Sequence, residues 1–158
     1  MQVHHLVGAR EAAARLGMRR VQVFHQARQR DPEFPAPVYW AVYGPGLGVW
    51  YWPDVWRWAR RAKPAGVGEL GPLRSPGSPA RSRVVDVDDL VDAHRLAAGL
   101  GVRYTRGVHE FRRYNTGFPE PVFVTAGKRA AVRLWAWPDV RRWAKARGRP
   151  VPVRPPAG

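Results

Sequence analysis

The amino-acid sequence predicts an α+β protein in which one small unit, with the element order α-α-β-β-α, occurs twice. Three observations favour this fold class. Two stretches of the chain match each other in order, glycines and prolines divide each stretch into short elements, and a Gly/Pro-rich segment separates the stretches. The chain has 158 residues, which is enough for two compact units of roughly 60–70 residues each.

The repeat is defined by a Leu-Gly turn, an F-P-x-P-V segment and a W-P-D-V segment, which recur in the same order with one inserted residue. The matching segments are 16–19 with 100–103, 34–39 with 118–123, 52–55 with 137–140, and 58–59 with 143–144. Ordered matches with a single gap indicate a true duplication. We therefore predict four parts: domain 1 at 1–64, a flexible linker at 65–83, domain 2 at 84–150, and a disordered tail at 151–158.

The first two elements of each copy are predicted helices joined by a tight turn. In copy one, Gly8 is placed as the N-cap of a helix over 9–16, and Gly17 ends that helix. A second helix follows at once over 19–30. Copy two repeats the pattern at Asp92, 93–100, Gly101 and 103–114. Two short helices around a glycine turn are typical of a helix-turn-helix.

A β-hairpin and a third helix complete each copy. In copy one, β-rich runs at 38–43 and 49–52 flank a glycine-rich loop, and Pro53 opens a helix that extends to about residue 63. The corresponding parts of copy two are 122–125, 131–135, and a helix from Pro138 to about residue 147. Each copy therefore has the pattern of a winged helix-turn-helix domain.

With these elements in place, the chain resembles the small AlpA/excisionase-type regulators of the MerR-like winged-helix superfamily. The resemblance is carried by Gly-hydrophobic-Arg at the turn, F-P-x-P-V, the hairpin, and W-x-x-x-D-V-x-x-W, and it covers about 130 residues. It implies that the second helix enters the major groove of DNA and that the wing contacts the flanking backbone or minor groove. Two features depart from the family pattern: the domain is duplicated, and Arg19-Arg20-Val21-Gln22 replaces the customary small polar residues.

The charge of the chain favours a polyanionic partner. It has 27 Lys+Arg against 12 Asp+Glu, a net charge of +15, and both copies are basic. Together with the helix-turn-helix pattern, this charge predicts double-stranded DNA as the partner.

Base-reading residues are expected on the outward faces of the two second helices. We expect Val23 and Ala27 of copy one, and Val108 and Phe111 of copy two, to face the core. Arginine can bridge the O6 and N7 atoms of guanine, and glutamine can bridge N6 and N7 of adenine. The predicted DNA-binding residues are Arg19, Arg20, Gln22, His25, Gln26 and Arg28 in copy one, Arg103, Tyr104, Thr105, Arg106, His109 and Arg113 in copy two, and Lys128, Arg129 and Arg133 on the second wing. Because the two faces differ, we predict an asymmetric bipartite site bound by a monomeric pseudo-dimer.

The eight tryptophans invite two interpretations, core packing and stacking on unpaired bases. Recurrence at equivalent positions favours the core for Trp50, Trp52, Trp58, Trp135, Trp137 and Trp143. Trp40 and Trp56 have no aromatic equivalent in copy two. They are therefore candidates for a protein-partner surface.

Several other classes are disfavoured. The chain has no cysteine, which rules out disulfides and thiolate metal sites. It contains no H-E-x-x-H, Walker or G-x-S-x-G motif, so we expect no catalytic residues, metal or cofactor. The longest uncharged stretch, 38–53, is shorter than the roughly 20 residues of a membrane span. No signal peptide is visible, so a cytoplasmic protein is expected, associated with the nucleoid when bound to DNA.

The predicted function is sequence-specific DNA binding, as a transcriptional regulator. An architectural factor for excision, plasmid maintenance or replication is the alternative within DNA binding. A protein-interaction module is the alternative from another class.

Overall fold

The computed structural model describes residues 1–41, 47–70, 83–125 and 131–156. These residues form six α-helices and two three-stranded antiparallel sheets, which confirms that the protein is α+β. The helices are α1 (Ala9–Arg15), α2 (Val21–Arg30), α3 (Trp52–Ala62), α4 (Ala93–Gly99), α5 (Thr105–Tyr114) and α6 (Trp137–Lys145). The strands are β1 (Leu6–Gly8), β2 (Tyr39–Trp40), β3 (Gly48–Tyr51), β4 (Leu90–Val91), β5 (Phe123–Val124) and β6 (Arg133–Ala136).

Each half of the chain, residues 1–70 and 83–156, has a strand before its first α-helix that the sequence pattern does not indicate. β1 pairs with β3, so that the first sheet has the order β1-β3-β2. β4 pairs with β6 in the same way, and the second sheet has the order β4-β6-β5. The predicted order α-α-β-β-α is therefore corrected to β-α-α-β-β-α. Strands of two and three residues are too short to show the alternation by which strands are recognised.

The predicted helices are present with small shifts at their ends. The second helices begin two residues later than predicted, at Val21 and Thr105, and the third helices begin one residue earlier, at Trp52 and Trp137. Asp92 caps α4 as predicted, because its Oδ1 accepts the N–H groups of His94 and Arg95 at 2.9 Å.

Each half has its own core between its helices and one face of its sheet. The six repeated tryptophans are all buried, which confirms the prediction that they are structural. In the first half, Trp50 and Trp58 pack with Phe24 and Phe34, and Trp50 Nε1 donates to the carbonyl of Pro35 at 3.2 Å. In the second half, Trp135 Nε1 donates to the carbonyl of Pro119 at 3.1 Å. The F-P-x-P-V segments thus fix the hairpin tryptophans in both halves.

The other faces of the two sheets pack against each other and form a core that both halves share. Neighbouring residues of a strand point to opposite faces of its sheet. In β3, Trp50 lies in the first half's own core and Val49 in the shared core; in β6, Trp135 and Leu134 are divided in the same way. The shared core consists of Val3, Leu6, Tyr39, Val49, Val85, Leu90, Phe123, Val132, Leu134 and Ala136. The two halves are therefore packed together.

Main-chain pairing supports the shared core. The N-terminal ammonium of Met1 donates to the carbonyl of Val85 at 2.9 Å, and the N–H of Val85 donates back to Met1 at 2.8 Å. Val3 N–H donates to the carbonyl of Arg83 at 3.0 Å. The Arg83 guanidinium also pairs with Asp139 of α6, so the segment before β4 is held by both halves.

The linker and the tail contact the halves where they are described. Val67 and Leu70, in the segment predicted as a flexible linker, pack against the first core, and the N–H of Gly68 donates to the carbonyl of Leu16 at 3.0 Å. Of the tail predicted to be disordered, residues 151–156 lie on the second half. Their carbonyls accept bonds from Trp137 Nε1 and Arg95 Nε, at 3.3 and 2.9 Å. The proline-rich tail is therefore bound to the second half through its backbone carbonyl groups, which accept these hydrogen bonds.

Each hairpin also reaches the first helix of the other half. The Tyr39 hydroxyl accepts the buried N–H of Asp92 at 3.0 Å, and burial beside the Asp92 carboxylate raises the pKa of Tyr39. In the opposite direction, a Cβ atom on Gly8 would lie 3.0 Å from Thr125 Cγ2. The close approach of the second hairpin therefore explains why the residue that precedes α1 is a glycine.

The Tyr39–Asp92 bond gives the first testable prediction. Tyr39→Phe leaves the buried Asp92 N–H without its acceptor, and we expect it to lower the free energy of unfolding by about 1–3 kcal/mol. Tyr51→Phe, a matched change for which no hydroxyl bond is described, should cost less. Urea denaturation checks this, and equal effects of the two substitutions would contradict the contact between the halves.

Candidate nucleic-acid interface

A glycine turn sets the angle at which α2 leaves α1. Gly17 has φ 73°, a conformation that side chains disfavour, and the equivalent Gly101 has φ 68°. Met18 N–H then donates to the carbonyl of Ala13 at 2.9 Å, and the Met18 side chain is buried. The chain enters α2 through an extended residue, Arg20, so that Arg19 and Arg20 project ahead of the helix. Both arginines are exposed.

The buried face of each second helix differs slightly from the predicted face. In α2 the fully buried residue is Phe24, and Val23 and Ala27 are only partly buried at the edge of the core. In α5, Val108 is buried as predicted, but Phe111 is only partly buried. The aromatic ring of Phe24 needs the most space, so it takes the central position and turns its neighbours toward the sides.

The outward face of α2 is basic and amide-rich. Gln22 and Gln26 are exposed on it, and Arg19 and Arg20 stand at its start. None of these side chains takes part in an ion pair within the described part of the chain. α2 itself contains no acidic residue. This face therefore offers donors to an anion without first breaking an internal ion pair.

The far end of α2 joins the hairpin through a cation–π contact. The Arg28 guanidinium lies 4.9 Å from the ring centroid of Trp40, whose residue is 47% exposed on β2. His25 lies beside Arg28, and burial together with that positive charge lowers the pKa of His25. The helix and the hairpin thus present one continuous surface, on which His25 is mostly neutral at pH 7.

The outward face of α5 has a different charge pattern. The predicted residues of this half, at its start and along it, are all exposed: Arg103, Tyr104, Thr105, Arg106, His109 and Arg113. Arg106 Nε donates to Glu110 Oε1 at 3.1 Å, and Arg112 donates to Glu120 at 2.8 Å. Two arginines of this helix are therefore partly neutralised, in contrast to those of α2.

The wings are described only at their bases. Lys128 and Arg129, and the tip of the first wing at residues 42–46, lie outside the described residues. Arg133 is half-buried in β6 and lines a cleft with Thr105 and His109 of α5. Ala41 and Leu47, at the base of the first wing, line the same cleft. The first hairpin thus lines this cleft together with α5 of the second half.

Asp31, which the sequence patterns do not indicate, anchors the end of α2. Its Oδ2 accepts Trp58 Nε1 at 2.7 Å, and its Oδ1 accepts the N–H of Glu33 at 2.8 Å. In the second half, Asn115 takes the position of Asp31, and the buried Trp143 Nε1 has no hydrogen-bond partner among the described residues. The recurrence of an Asx residue before F-P-x-P-V was the available signal.

The arrangement offers cationic and amide donors. Across residues 1–41, 47–70, 83–125 and 131–156, no three His, Asp or Glu side chains cluster as metal ligands. No helix in these ranges is both long and apolar enough to cross a membrane.

Neither a protein-family model, nor a curated protein, nor a solved structure matches the chain closely enough to indicate a relative. Function is therefore inferred from the charge, exposure and geometry of these residues.

The bonds to Asp31 predict a specific pH dependence of stability. The N–H groups of Trp58 and Glu33 hold the pKa of Asp31 below its ordinary value of 3.8. The stabilising contribution is therefore present above that value and is lost as the pH falls through the lower pKa of the folded state. We expect Asp31→Asn to be less stable than the unsubstituted protein at pH 7 and the difference to shrink below pH 3.8.

Urea denaturation at pH 7 and near pH 3 checks this expectation. Asp54→Asn serves as the control, because it removes a carboxylate whose bond to Arg57 is exposed. If Asp31→Asn lowered the free energy of unfolding by the same amount at both pH values, the charge of Asp31 would not contribute to stability.

Proposed function

We propose that the chain is a sequence-specific double-stranded-DNA-binding protein, a transcriptional regulator built as a single-chain pseudo-dimer of two winged helix-turn-helix units. One observation carries the proposal. Each half presents a ten-residue helix after a tight glycine turn, with an exposed outward face of arginine and amide or hydroxyl donors. This is the arrangement that places side chains at base edges in the major groove.

Charge supports the same proposal. The net charge is +15, and the arginines that precede each reading helix, Arg19, Arg20 and Arg103, make no ion pair among the described residues. Contacts of this kind to phosphates supply affinity and fix the register of a protein on DNA, while the helix faces select the sequence.

The shared core adds a constraint on the DNA site. Because the two sheets pack face to face, α2 and α5 belong to one packed body. We therefore expect the two half-sites to have a fixed spacing and, because the helix faces differ, different sequences. The proposed mechanism is that the two helices, held in one rigid body, occupy the two half-sites of an operator.

Selection from a random duplex pool with the full-length chain tests the proposal directly. With competitor DNA at about 150 mM salt, we expect enrichment of a two-part motif with one fixed spacing. Binding that enriches no sequence would favour the alternative of an architectural factor that bends DNA. No retained DNA would contradict both and leave a protein-interaction role for the exposed Trp40 surface.

Substitution of the arginines that precede α2 and α5 tests the size of their contribution to DNA affinity. Arg19→Ala and Arg103→Ala should weaken binding and reduce the slope of log affinity against log salt by about 0.9 for each phosphate that is no longer neutralised. A base contact to guanine would instead cost about 1–3 kcal/mol and relax one position of the motif.

Arg60→Ala is the matched control, since it removes one exposed arginine from α3. It should leave the motif unchanged and alter affinity less. Equal losses from all three substitutions would show that affinity follows total charge, which would contradict specific roles for Arg19 and Arg103.

A further inference from the structure

The repeat permits a direct comparison of the two reading helices, position by position. Between residues 16 and 39 the copies align without a gap, so Gln22 corresponds to Arg106 and Gln26 to Glu110. Gln26 and Glu110 are both exposed near the middle of their helices. The same place on the two outward faces therefore holds an amide in one half and a carboxylate in the other.

We propose that Glu110 is a specificity-determining residue that reads cytosine, whereas Gln26 reads adenine at the equivalent place in the other half-site. This inference rests on the proposed function. A carboxylate can only accept hydrogen bonds, and cytosine N4 is the donor that its base pair presents in the major groove. A glutamine amide can instead bridge N6 and N7 of adenine.

The ion pair with Arg106 does not account for Glu110 as a helix-stabilising residue. Arg106 precedes Glu110 by one turn, and the helix dipole favours the reverse order, with the acid nearer the N-terminus. The side chains are 88% and 53% exposed, so the pair is strongly solvated and weak. Both groups can turn toward a ligand at little cost.

A carboxylate on this face also acts against incorrect sequences. It repels the phosphates of any duplex, so it lowers affinity wherever no base donor meets it. α2 carries no acidic residue. Arg28 and Arg30 within it, and Arg19 and Arg20 just before it, supply affinity with little regard to sequence. The first half then anchors the chain on DNA, and the second half supplies discrimination, with Arg106 placed to reach a guanine beside the cytosine.

Parallel selections from one random duplex pool test the proposal with three full-length proteins: the unsubstituted chain, Glu110→Gln and Glu120→Gln. Glu120 is the matched control, because it is an exposed carboxylate that pairs with an arginine, Arg112, but lies beyond the end of α5. All three proteins should unfold in urea with similar midpoints, since both side chains are exposed.

We expect Glu110→Gln to change one base pair in one half-site from C·G toward A·T and to leave the other half-site unchanged. Exchanging that base pair in the selected duplex should then alter Kd about tenfold, in opposite directions for the two proteins. Glu120→Gln should enrich the original motif. The reciprocal change, Gln26→Glu, should shift the other half-site from A·T toward C·G.

Two results would overturn the inference. If Glu110→Gln enriched the original motif and raised affinity for all duplexes as much as Glu120→Gln, Glu110 would act only through its charge. If none of the proteins retained DNA, the proposed function would fail and this inference with it. The first result leaves the proposed function intact, so the two failures are distinguishable.

Discussion

The structure depends on one constraint: each three-stranded sheet is apolar on both faces. The inner face of each sheet is covered by the helices of its own half, with Trp50 and Trp135 at its centre. The outer face carries Val49 and Leu134, and a half folded alone would expose it to water. Burial of apolar area is the dominant favourable term in folding, so the two outer faces pack against each other. In the duplicated chain, the outer face of each sheet is therefore buried by the outer face of the other sheet.

Packing of the two sheets against each other also limits how far α2 and α5 can move relative to one another. Two units joined only by a flexible linker could bind half-sites over a range of spacings, since a coil of this length tolerates many separations. The shared core, the pairing of residues 1–3 with 83–85, and the Tyr39–Asp92 bond hold the halves together instead. Under the proposed function, such a body would gain specificity from spacing as well as from base contacts. The difference between the faces of α2 and α5 would then define one orientation of the proposed site.

Much of the secondary structure could be predicted from the sequence, because its signals are local. The glycine turns, the Asp92 cap and the first-turn prolines mark helix ends, and the recurrence of tryptophans indicates burial. Tertiary features were not predictable in the same way. β1 and β4 are too short to show a period, and the choice of Phe24 over Val23 as the buried residue follows from packing. The near-continuous apolar run Val49–Trp50 was the one local sign that a strand is covered on both faces.

The site was predictable to a different extent. Helical periodicity predicts exposure of the α2 and α5 donors. Most of these residues are exposed in the structure, but His25 and Arg28 are only partly exposed. The ion pairs of Arg106 and Arg112 and the contact of Arg28 with Trp40 depend on side-chain positions that a sequence pattern does not contain. Contacts between the first hairpin and α5 depend on the packing of the halves. Because of these contacts, residues of both halves line one surface.

A series of DNA duplexes with different half-site spacings tests whether one packed body reads both parts of a DNA site. Starting from the selected duplex, base pairs are inserted one at a time between the half-sites, and Kd is measured at fixed salt. The account predicts that one or two inserted base pairs weaken binding about tenfold or more, because the shared core prevents the helices from following the half-sites. An affinity that stays constant over several insertions would contradict the account and indicate two independently tethered readers.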